Sequence, residues 1–149
     1  MSKINLEFYM KRGQVHLDDI EDEDDLTSIN KTIELIKKER FEDAVKALPA
    51  MYFEWIPMNG DGDCTEVFES DEDFQIKLTP ENSTIRVGYE NDSLILTISV
   101  TFPMEVRDDI DAEQLSQWLD DNSMYACGYV GAGWSYDGDD GCTLHVIDN

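Results

Sequence analysis

Positive charge is scarce in this 149-residue chain. Eleven lysines and arginines face 34 aspartates and glutamates, for a formal net charge of −23 with histidine neutral. The imbalance is uneven: residues 1–46 hold 12 acids and 8 bases, whereas residues 47–149 hold 22 acids against Lys77, Arg86 and Arg107. That scarcity excludes direct binding of nucleic acid, because phosphates are held by lysines and arginines that displace their counterions. Cysteine is nearly absent too. Cys64, Cys127 and Cys142 are an odd number with no Cys-x-x-Cys spacing, which fits neither a disulfide framework nor a thiolate zinc site. The two histidines, His16 and His145, lie far apart with no cysteine at ligand spacing, which argues against a transition-metal centre. No apolar run approaches the length of a membrane span, and no basic segment leads into an apolar one after Met1. A cytoplasmic protein with no membrane partner is the expectation.

What is present is alternation. Ser93–Phe102 places Leu94, Leu96, Ile98, Val100 and Phe102 on one face and Ile95, Thr97, Ser99 and Thr101 on the other, without one charge. This predicts the central strand, with one face in a core and the other half-covered. Residues 3–11 alternate likewise, with Ile4, Leu6, Phe8 and Met10 together, and Arg12-Gly13 reads as a turn into a short second strand, Gln14–Leu17. Seven acids in the eight residues Asp18–Asp25 then precede a helix expected over 28–48, capped by Thr27 or Ser28 and stopped by Pro49. Ala50–Met58 is an aromatic connector expected to pack on the core. Thr65–Glu69, Phe74–Thr79, Thr84–Tyr89 and Ser93–Phe102 read as four strands of a meander, with turns at Pro80–Asn82 and Asn91-Asp92. A second helix is expected over about 109–121, capped by Asp108 or Asp109, with Ala112, Leu115, Trp118 and Leu119 facing inward. The fold class is therefore α+β: a mainly antiparallel meander with two helices packed on it, in a single domain of residues 1–149.

Catalytic and metal chemistry finds little footing. Asn59-Gly-Asp61-Gly-Asp63 imitates the start of a calcium loop, but Cys64 stands where the turn wants glycine and Ser70 where a bidentate Glu belongs. Asp137–Gly141 has no following Glu. Cys127 or Cys142 could pair with His145, yet the surrounding acids disfavour a thiolate. Gly131-Ala132-Gly133 lacks the third glycine, the lysine and the strand-to-helix context of a phosphate loop. The expectation is a protein that is not an enzyme and holds no cofactor or metal.

The carboxylates themselves remain. In an extended segment, residues i and i+2 lie about 6.6 Å apart on one face, close to the spacing of successive phosphates. Asp61/Asp63, Glu69/Asp71 and Asp71/Asp73 fit that spacing if locally extended, and Glu66 and Glu72 among them join the candidate partner-binding residues. Asp108, Asp109, Asp111 and Glu113 begin the second helix, where the dipole favours them, and Asp120 and Asp121 end it, where the dipole does not. Asn122–Tyr136 is uncharged and aromatic, and Trp134 and Tyr136 are candidate anchors for a partner. In composition the chain resembles the small acidic DNA mimics that phages and mobile elements use against host defences. That resemblance implies a stoichiometric inhibitor blocking the basic groove of a nuclease, restriction enzyme or CRISPR effector, in the host cytoplasm if phage-encoded. An immunity or antitoxin protein capping a basic toxin is the alternative, and a calcium-binding or enzymatic domain a lesser one. A homodimer is compatible with either reading.

Overall fold

The computed structural model describes residues 2–55, 67–68, 74–122, 129–131 and 142–147. In it the uncharged alternating stretch lies inside a four-stranded sheet. That strand, β5, runs Ser93–Val106, and it lies between β4 (Ser83–Glu90) and β1 (Ser2–His16). The last strand, β7 (Cys142–Val146), pairs with the far side of β1, so the order is β4-β5-β1-β7 and every pairing is antiparallel. Leu94, Leu96, Ile98, Val100 and Phe102 are buried and the alternate residues half-buried, as the alternation requires. Asn91 and Asp92, both at positive φ (51° and 61°), make the two-residue turn from β4 to β5. Asn and Asp tolerate this left-handed geometry, and its twist matches that of the flanking strands.

The first two strands expected from sequence are one. β1 runs unbroken through Arg12-Gly13, where a bulge sets Lys11 and Arg12 opposite Thr97. The bulge absorbs the extra residue and keeps Val15 on the core face with Met10. Gly13 lies against the buried Met10, whose terminal methyl would have to shift to admit a Cβ there.

A second sheet, absent from the expected meander, packs on the core face of the first. It comprises β2 (Tyr52–Trp55) between β3 (Phe74–Lys77) and β6 (Tyr129–Gly131). The described part of the aromatic connector thus contains a strand, and its core-packing aromatics are Phe53 and Trp55, both buried. Phe102 is the joint between the sheets: its ring lies 5.0 Å from Phe53, 4.9 Å from Phe74 and 6.5 Å from Trp55. Phe8 meets Phe53 at 4.7 Å. Of the strand expected over Thr65–Glu69, only Val67 and Phe68 are described; they are buried but not in a strand.

The expected helix over 28–48 is two helices, α1 (Glu23–Lys37) and α2 (Phe41–Ala47). α1 starts early because Asp22, not Thr27 or Ser28, caps it, its carboxylate accepting from the Asp25 N–H at 3.0 Å. It ends at Glu39, whose φ of 60° is left-handed. The Arg40 N–H bonds the Leu35 carbonyl and the Glu39 N–H bonds that of Ile36, each at 2.9 Å, which is the Schellman termination. The buried Thr32 hydroxyl lies 3.1 Å from the Ala44 carbonyl and ties the two helices together. The other helix, α3 (Ala112–Asp121), starts later than expected. Asp111 and Gln114 form a reciprocal capping box at 2.8 Å each way, so the cap is neither Asp108 nor Asp109. Leu115, Trp118 and Leu119 are buried, whereas Ala112, in the first turn, is exposed.

Candidate partner-binding surface

Strand direction decides where the acids go. β1 leaves the sheet at His16 and leads through a 3-10 turn, Leu17–Asp19, into α1. Asp18, Asp19, Glu21, Asp22, Glu23 and Asp24 are all exposed there, and no base lies between Asp18 and Asp25. Because His16 pairs with Ser93, the turn carrying Asp92 lies at this same end. β5 leaves at the opposite end, where Val106 pairs with Ser2, and is followed by Asp108, Asp109, Asp111 and Glu113, all exposed. The ladder between Ser2 and His16 separates the two groups by on the order of 40 Å, at about 3.3 Å per residue.

The two acidic poles differ in what else their carboxylates do. Asp22 and Asp111 are caps, so part of their placement is explained by the helices they start. At the first pole, burial, with Asp22 and Asp24 beside it, pushes the Asp25 carboxyl above its ordinary value. At the second, Arg107 reaches Asp109 at 3.6 Å across an exposed surface, a contact that solvent screens. Asp120 and Asp121 lie about 15 Å along α3 from its cap, at 1.5 Å per residue. Asp121 accepts from Gln117 Nε2 at 2.9 Å, while Asp120 has no partner among the described residues.

The structure thus brings Asp108, Asp109, Asp111 and Glu113 together and leaves Asp120 and Asp121 on the same helix. It adds Glu105, exposed near the end of β5, which was not expected because that strand was not expected to pass Pro103. Asp61, Asp63, Glu66, Glu69, Asp71, Glu72, Asp73, Trp134 and Tyr136 lie outside the described residues, as do both calcium-like loops.

Among the described residues, no three His, Cys, Asp or Glu side chains converge to hold a metal ion. Cys142 and His145 cannot act as a pair. They are three apart on β7, so Cys142 faces the core with Leu144 while His145 is exposed on the other face, its Nε2 3.2 Å from Glu7 Oε1. Among the described residues no helix is long and apolar enough to cross a membrane. Comparison with protein-family models, with curated proteins and with solved structures finds no match to this chain.

Proposed function

We propose that this protein is a stoichiometric inhibitor that mimics nucleic acid, setting its carboxylates in the basic groove of a nuclease, restriction enzyme or CRISPR effector. The observation that carries this reading is the gathering of exposed acids at two poles of one rigid ladder. Their separation, on the order of 40 Å, is close to one turn of duplex DNA, about 34–36 Å. A basic groove built for a duplex presents cations over such a span, and complementary fields speed association. Self-repulsion at a net charge of −23 opposes folding, so some advantage offsets it. Asp120, unpaired at the unfavourable end of a helix dipole, has no stabilising role among its described neighbours. The protein acts in the cytoplasm in this reading, within the host cell if phage-encoded.

The test is retention of basic nucleic-acid-binding proteins from a bacterial lysate on the tagged protein, eluted in a salt gradient, followed by affinity measurement on the identified partner. Binding should weaken as salt rises, and duplex DNA should compete. Charge reversal of Asp18, Asp19 and Glu21, or of Asp108 and Glu113, should weaken it further while the caps Asp22 and Asp111 stay intact. A complex indifferent to salt, DNA and both reversals refutes the reading.

A further inference from the structure

The second sheet and the helices cover one face of the four-stranded sheet, and no described element packs on the other. That open face is lined by hydroxyls: Thr97, Ser99 and Thr101 on β5, Tyr9 on β1, Thr84 on β4 and Thr143 on β7. All six are half-buried or exposed.

Its charge departs from that of the chain as a whole. By strand parity and side-chain contact it carries Lys3, Lys11, Arg12 and Arg86 against Glu7, Glu90 and Glu105, a balance of +1 in a chain of −23. Two of the acids are already engaged within the face. Arg12 reaches over β5 to Glu90 at 3.3 Å. Glu7 receives a hydrogen bond from the Ser99 hydroxyl at 3.0 Å and sits 3.2 Å from His145, and Glu105 lies directly opposite Lys3. Lys11 and Arg86 have no acid partner among the described residues.

We propose that this face is where two copies of the chain meet, sheet on sheet. Like-charge repulsion between two such acidic molecules forbids most mutual approaches. A face that is not negative is one where a second copy can be brought within the roughly 10 Å of packed sheets, and unlike the exposed side of α1 and α2, whose charge is also near balance, this face is a sheet open to such packing among the described elements. Short hydroxyl side chains lose little conformational freedom when covered, and they can exchange hydrogen bonds across the interface. The area is sufficient. From strand rise and spacing the face projects roughly 600–700 Å², near the ~800 Å² that each partner gives to an interface of standard size. The inference is independent of the nucleic-acid-mimic reading, since Asp18–Asp24 and Asp108–Glu113 lie beyond the ends of the ladder and stay free in the pair, Glu105 alone being shared.

Sedimentation of the full chain over a range of concentrations, at about 0.15 and about 0.5 M NaCl, tests it. A dimer is expected, tighter at the higher salt because the remaining repulsion is screened. Lys11→Glu with Arg86→Glu should raise the dissociation constant by about tenfold or more, while Lys31→Glu with Lys46→Glu, the same charge change on exposed positions of α1 and α2, should stay within about twofold of the parent. Circular dichroism and the thermal midpoint confirm that each variant is folded. A chain that stays monomeric under both salts, or one whose two double variants weaken the dimer equally, overturns the proposal.

Discussion

Replacing Glu39 by glycine should stabilise this protein without adding a single contact. Glu39 is the left-handed residue of the Schellman turn that ends α1, with φ at 60°, and it is exposed. Holding a residue that bears a Cβ in that region costs about 1–2 kcal/mol, which glycine does not incur. Against this, glycine's freedom in the unfolded chain costs about 0.4–1 kcal/mol. The difference leaves a net gain of about 0.5–1 kcal/mol. The substitution also removes a carboxylate beside the negative end of the α1 dipole, which acts in the same direction. Urea unfolding reads the effect: with a slope near 2 kcal/mol/M, the midpoint should rise by roughly 0.3–0.5 M. Glu39→Ala is the control, since it removes the charge and keeps the Cβ. If the alanine variant is as stable as the glycine variant or more so, backbone strain at Glu39 is not what the exchange relieves, and the reasoning fails.

Two further perturbations probe the core and the first acidic pole. Phe102→Ala removes the ring that touches Phe53, Trp55 and Phe74, and should cost about 3–5 kcal/mol by urea unfolding. A loss under about 2 kcal/mol would mean that the two sheets are held together elsewhere. Asp25→Asn tests the raised carboxyl. Its folded-state value lies above its unfolded one, so its stabilising contribution is complete below the unfolded value of 3.8 and is lost as pH rises through the folded value. The variant should therefore gain on the parent in that interval and keep the gain at neutral pH. Parallel stability curves across the interval would show that the Asp25 carboxyl is not perturbed.

What the residues disclosed on their own was governed by periodicity. Ser93–Phe102 and residues 3–11 alternate strictly, and both lie in strands with the expected faces turned to the core, only Ile4 being half-buried. Arg12-Gly13 misleads because arginine and glycine are turn formers locally, whereas the glycine lies against Met10, a contact three residues back across a bulge. The break between α1 and α2 was hidden for the converse reason. A Schellman turn usually announces itself with glycine, and here it carries glutamate. β2 is four residues long, too short for a period to show, and although Phe74–Thr79 reads as a strand and contains β3, its pairing with β2 and not with β4 is not local information. Pro103 looked like the end of a strand. The Thr101 N–H points to Asn82 beyond the start of β4, and two residues on, the missing donor of Pro103 falls on that same side, where β5 has no strand neighbour among the described residues. Losing sight of that extension hid Glu105. Of the candidate surface, the group from Asp108 to Glu113 was readable as a helix start; that it stands a full ladder away from Asp18–Asp25 depends on which strands pair.

The pairing of β1 with both β5 and β7 bears on how the chain is made. Among the described residues β1 finds its partners in residues 93–106 and 142–146, so the four-stranded sheet cannot close until those distant segments have been made. Contacts this distant in sequence slow folding, and for that interval an apolar strand is exposed on both edges. The charge that burdens the finished fold protects this intermediate. Nascent chains dense in carboxylate repel one another, and β1 is held apart from the β1 of its neighbours until its own partners arrive.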